Sequence, residues 1–182
     1  MGIVKSLTVN SDLSAEMVVS GNFSHYHNTD NPIVEIFRAI NLARMSDKTL
    51  PYQAMHYTVG LPSYNKQRKT TKCIFRLNAA SYIPTEENLS PEDRLAEMAI
   101  FMEQDFIFFK KEMGKTLRNF VACPSGYPLY MQYVRNIEKA DKIGNADIFS
   151  QQKAECNAYL RRFILSCGYA PAKRVRIEEF FN

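Results

Sequence analysis

The stretch from Ser90 to Phe120 constrains the fold more than any other part of the chain. Ser90-Pro91-Glu92-Asp93 combines a serine cap, proline at the first helical position and an acid at the third, an arrangement resembling a capping box. From there Leu95, Met98, Ala99, Met102, Phe106, Phe109, Met113 and Leu117 recur as an apolar stripe, continued by Phe120 and widened by Ile100, Phe101, Ile107 and Phe108. At 1.5 Å per residue such a helix extends roughly 45 Å. A helix apolar over so much of its circumference predicts cover on two sides, by a sheet and by later helices. Gly114 marks where it is expected to bend or break.

The remaining elements fall on either side of this helix. Upstream, Met17, Val19, Phe23, His25 and His27 share one parity while Glu16, Ser20, Asn22 and Ser24 share the other, the period of a half-buried strand with Ile3–Val9 as its partner. Asn31-Pro32 starts a helix, capped by Asp30 or Asn31, in which Ile33, Phe37, Ile40 and Ala43 recur before an end near Arg44 to Ser46. Tyr52–Gly60 and Thr71–Leu77 read as strands flanking the turn-rich connection Leu61 to Lys69. Downstream, the turn Cys123 to Pro128 leads to a helix ending near Ala140. Asp147 is then expected to cap a helix carrying Phe149, Cys156, Tyr159, Leu160, Phe163, Ile164 and Cys167, stopped by Gly168. The expectation is α+β: an N-terminal antiparallel sheet with one inserted helix, packed on a C-terminal layer of about three helices. Residues 1–170 form one domain, strand-rich over 1–80 and helical over 88–168, and 171–182 form a tail.

Composition narrows the function. No apolar run reaches the roughly 18 to 20 residues of a membrane helix, and the first residues lack a secretory pattern, so the expectation is a soluble intracellular protein with no membrane partner, cytoplasmic or nuclear. Cys73, Cys123, Cys156 and Cys167 include no C-x-x-C pair, which points to buried thiols. No Gly-rich phosphate loop occurs, and neither Cys123 nor Ser125 has a base near it in sequence. The acids Glu92, Asp93, Glu97, Glu103 and Asp105 read as a solvated face or as a complement to the helix dipole. No catalytic residue and no cofactor is expected.

The formal net charge of +4 is concentrated in two places. Lys66, Arg68, Lys69, Lys72 and Arg76 occur over 61–78 without an acid, and in the second strand Lys72 and Arg76 face away from Cys73, Phe75 and Leu77. With Tyr64, and with Tyr57 and Tyr52 as stacking surfaces, this basic hairpin is the candidate site for nucleic acid, single-stranded DNA or RNA above all. The second concentration is Lys153, Arg161, Arg162, Lys173, Arg174 and Arg176. The expected function is a non-catalytic nucleic-acid-binding accessory of replication or gene expression.

Ile177, Phe180 and Phe181 end the chain behind basic residues. They resemble the peptides by which replication proteins dock on a ring-shaped sliding clamp, with Arg174 where those peptides carry glutamine. The resemblance implies a protein partner.

Two other readings compete. His25 and His27 point to one face of an extended segment that His56 approaches from another strand, a set of the type that holds zinc in a nuclease or phosphodiesterase. His25-Tyr26-His27 resembles the His-hydrophobic-His motif of rolling-circle nucleases, although Pro171 interrupts the helix on which Tyr169 and Lys173 would serve. His27-Asn28-Thr29 and His56-Tyr57-Thr58 resemble the paired elements of two-histidine phosphoesterases, 29 residues apart. The last reading is a protein-protein module, an inhibitor or viral structural component, with the Phe- and Met-rich helix as its sticky face.

Overall fold

Strand alternation in the first twenty residues matures into a hairpin, β1 (Val4–Val9) and β2 (Ser14–Ser20), in a computed structural model that describes residues 2–24, 31–124 and 126–170. Ala15, Met17 and Val19 of β2 are buried, and the residues between them face the other way. Three further strands complete an antiparallel sheet: β3 (Tyr57–Val59), β4 (Ser63–Asn65) and β5 (Thr70–Leu77). The order is β1-β2-β5-β3, with β4 also on β5. β5 is central: β2 pairs with its residues 70–76, while β4 and then β3 share its other edge.

β3 and β4 are two pieces of one interrupted strand, and Tyr57–Val59 is shorter than the Tyr52–Gly60 strand expected from sequence. Val59 opposes Phe75, whereas Ser63 opposes Lys72, so four residues advance against three across Gly60-Leu61-Pro62. One extra residue is a β-bulge, and it turns every later side chain to the opposite face.

The sheet exit is fastened by Thr71, whose buried hydroxyl donates to the Gly21 carbonyl at 2.7 Å and accepts from the Phe23 N–H at 2.9 Å. Asn31, also buried, donates to the Phe23 carbonyl and caps α1 (Pro32–Met45) by accepting from the Ile33 N–H. Of the expected α1 stripe, Ala43 faces solvent, while Val34, Ile36 and Ala39 join the core.

α2 spans Pro91–Ala122 unbroken, 32 residues and about 48 Å. Ser90 accepts from the Asp93 N–H at 3.1 Å, as the sequence predicts. Gly114 does not end the helix; a Cβ there would meet Val4 at 3.8 Å, ordinary contact with β1. Of the apolar positions read along α2, Leu95, Ile100 and Ile107 are exposed, as is Val121. The helix buried on most sides is instead α1, whose Phe37 ring meets Phe75 of β5 at 4.4 Å and Phe109 of α2 at 4.9 Å. Burying each such ring contributes about 1.5–3 kcal/mol.

α3 (Tyr127–Lys142) and α4 (Ala146–Ser166) form a helical hairpin turning at Gly144. It packs on the end of α2 through Phe120, which touches Tyr130 and Phe163. Asn145, rather than Asp147, caps α4; Asp147 sits in its first turn. Gly168, at φ +87°, ends the helix where expected. The core thus lies between one face of the sheet and the helices. Among the described residues no helix is long and apolar enough to cross a membrane.

Candidate nucleic-acid interface

Cross-strand pairing sets which side chains occupy the face of the sheet away from α1 and α2. Lys72 opposes Val18 and Ser63, Arg76 opposes Ser14 and Thr58, and Ile74 opposes Glu16. Because paired residues share a face, all of these lie opposite the parity of Thr71, Cys73 and Phe75, which enter the core. The parity expected for β5 from sequence is therefore observed.

The hairpin between β4 and β5 carries the other cations. Asn65 accepts from the Arg68 N–H at 3.0 Å, and Lys69 occupies the left-handed corner at φ +52°. Lys66, Arg68 and Lys69 are all exposed. A trough of about 720 Å³ runs between this turn and the outer face, lined by Lys5, Lys66, Arg68 and Lys72 as well as Val18 and Thr70. Lys69 is not among its lining residues. An adjoining depression of about 340 Å³ shares Ser63 and Lys72 with it and extends to Arg76. Among the described residues Glu16 is the one acid in the lining of the trough, with its carboxylate 4.0 Å from the Lys72 ammonium. Both groups are more than two-fifths exposed, so the pair is worth about 0.2–1 kcal/mol and leaves Lys72 open to a competing phosphate.

Lys5 escaped the sequence reading. Val4 pairs with Val19 and Ser6 with Val18, so Lys5 is the extra residue of a bulge in β1, and it contributes to the trough lining.

The aromatic half of the expectation is corrected. Tyr64 opposes Thr71, because the bulge at Gly60-Leu61-Pro62 reverses its parity. It borders the trough from the sheet edge, half-buried, with its side chain on the core-facing parity rather than with the cations. Burial, and then the proximity of Tyr64, push the Tyr127 phenol up.

Tyr52 and Tyr57 are buried, and both donate hydrogen bonds to Asp105: Tyr52 to Oδ1 at 2.8 Å and Tyr57 to Oδ2 at 2.7 Å. Arg44 completes the cluster with its Nε 3.4 Å from Asp105 Oδ1 and its guanidinium 4.8 Å from the Phe108 ring centre. Tyr52 stacks on Phe101 at 4.2 Å. Burial foremost, then the hydrogen bond to Asp105, pushes the Tyr52 phenol up to about 12; Tyr57 is raised further, by burial first. Neither ring is a platform for a base, and Asp105 is not part of a solvated face. The signal was present in the sequence, since Asp105 lies on the stripe defined by Met102, Phe109 and Met113, where an acid needs partners.

Other predicted residues divide by location. Arg161 and Arg162 are exposed on α4, in the helical layer behind the sheet, and do not extend the trough. Ile177, Phe180 and Phe181, with Lys173, Arg174 and Arg176, lie outside the described residues, as do His25, His27 and Ser125. His56 is exposed, with its backbone N–H donating to the Ser81 hydroxyl. Among the described residues no group of three His, Cys, Asp or Glu side chains is arranged to hold a metal ion. Cys73 is buried, and burial pushes its thiol up to about 12. Cys156 is likewise buried, but Cys123 and Cys167 are only partly so, which corrects the expectation for those two. No protein-family model matches the chain, and no curated protein or solved structure is similar to it.

Proposed function

We propose that the protein binds nucleic acid through the phosphate backbone on the outer face of its sheet, as a non-catalytic accessory of replication or gene expression. The observation that carries this reading is the trough, where, among the described residues, Lys5, Lys66, Arg68 and Lys72 meet one acid, with Arg76 in the adjoining depression. Cations spaced along strands and a turn match a polyanion, and releasing its counterions supplies sequence-independent affinity. Because Tyr52 and Tyr57 are buried and Tyr64 has the core-facing parity, the reading rests on charge rather than on base stacking. In the same proposal the tail with Ile177, Phe180 and Phe181 recruits a protein partner of the sliding-clamp type.

The test is fluorescence anisotropy with labelled single-stranded and duplex oligonucleotides across a salt series. If Lys66, Arg68 and Lys72 each neutralise one phosphate, replacing all three with alanine lowers the slope of log affinity against log salt by about 2 for a single strand and slightly more for duplex. Unchanged affinity and slope on both substrates would refute the proposal.

A further inference from the structure

The side of α2 that no other described residue covers carries a second pattern, independent of the outer sheet face. Ile100 is 53% exposed and Ile107 is 72% exposed, and seven residues apart they share one helix face. The charges on that face are segregated. Asp93 and Glu103 lie towards the amino end, and Lys110, Lys111 and Arg118 lie towards the carboxyl end, all exposed.

Residues of the contrary sign project elsewhere and are engaged. Arg94 donates to the Glu87 carbonyl at 3.3 Å, and Glu112 accepts from the Tyr169 hydroxyl. Glu97, at the margin of the face, is held by Tyr82 and Thr85. The dipole of α2 accounts for acids in the first turn only, because its influence fades within a turn. Glu103, Lys110 and Lys111 lie well inside the helix and need another explanation.

We propose that this face pairs with the same face of a second copy, with the two α2 helices antiparallel. Antiparallel pairing brings the acidic half of each helix onto the basic half of the other and buries Ile100 and Ile107 of both copies between them. Parallel pairing sets like charge on like. A two-fold interface repeats every contact, so one segregated helix supplies both complementary surfaces. Single exposed isoleucines are ordinary, but two on one face that is acidic towards one end and basic towards the other make a self-complementary surface.

Sedimentation velocity on the full chain tests the proposal. A species of twice the chain mass is expected, dissociating on dilution and at high salt. Ile107→Glu, at a solvent-facing position that leaves the core intact, is expected to give the monomer with unchanged helical circular dichroism. Lys111→Glu is expected to weaken the dimer at least tenfold, and Glu103→Lys added to it to restore most of that loss. A monomer at all concentrations would overturn the proposal. So would a dimer indifferent to Ile107→Glu, a charge swap without rescue, or an α2 face that becomes sticky only when residues 171–182 are removed, which would assign the face to the chain's own tail.

Discussion

Replacing Asp105 with alanine perturbs the fold at its most concentrated polar point. The carboxylate is fully buried and accepts from Tyr57 at 2.7 Å, from Tyr52 at 2.8 Å and from Arg44 at 3.4 Å. Removing one partner of a buried pair costs about 3–5 kcal/mol, because the charge left behind keeps its desolvation penalty. Here the Arg44 side chain, 12% exposed, and two phenol hydroxyls are left behind. Asp105→Asn keeps the shape and one accepting oxygen, so it is expected to cost less, about 1.5–3 kcal/mol, the worth of a hydrogen bond to a charged group. Urea unfolding followed by far-ultraviolet circular dichroism reads both values. In the Asp105→Ala background, Tyr57→Phe is expected to cost almost nothing more, since its partner is gone. A loss below about 1 kcal/mol for Asp105→Ala, or equal losses for alanine and asparagine, would refute this account of the cluster.

Stability is expected to decline at high pH. Folding raises the Tyr52 phenol to about 12 and Tyr57 beyond it, so the native state keeps protons that the unfolded chain releases near pH 10. That contribution is complete below about pH 10 and is lost as pH rises towards the folded values; Tyr52→Phe with Tyr57→Phe should flatten the decline in a pH series of urea midpoints. Gly126 faces a backbone obstacle, since an added Cβ would lie 1.7 Å from the Phe120 carbonyl oxygen and 3.0 Å from that of Cys123. Gly126→Ala is therefore expected to cost about 4 kcal/mol or more, in the upper tail of single substitutions. Gly144→Ala, at φ +70° with no described atom within 4 Å, should cost only the left-handed penalty of about 1–2 kcal/mol, and similar thermal shifts for the two would contradict the argument.

Local chemistry made much of this fold readable in the sequence. Ser90 with Pro91, Asn31 with Pro32, and Gly168 each act within a turn or two of the helix end they define. The alternation through Thr71, Cys73 and Phe75 gave the face of Lys72 and Arg76 before any partner strand was known. What escaped depended on distant pairing. Tyr64 changed sides through one extra residue near Pro62, and Lys5 entered the trough through a bulge opposite β2. Asp105 looked solvated because its partners, Arg44, Tyr52 and Tyr57, are about fifty to sixty residues away in sequence. Ile100 and Ile107 looked buried because composition alone does not reveal where neighbouring layers end.

The outer sheet face is tested most directly by titrating the isotope-labelled protein with a short oligonucleotide and following backbone amide shifts. The account predicts perturbations confined to Lys5, Ser63 to Lys72 and Arg76, diminishing as salt rises. Shifts centred on α3 and α4, or none at oligonucleotide excess in low salt, would contradict it.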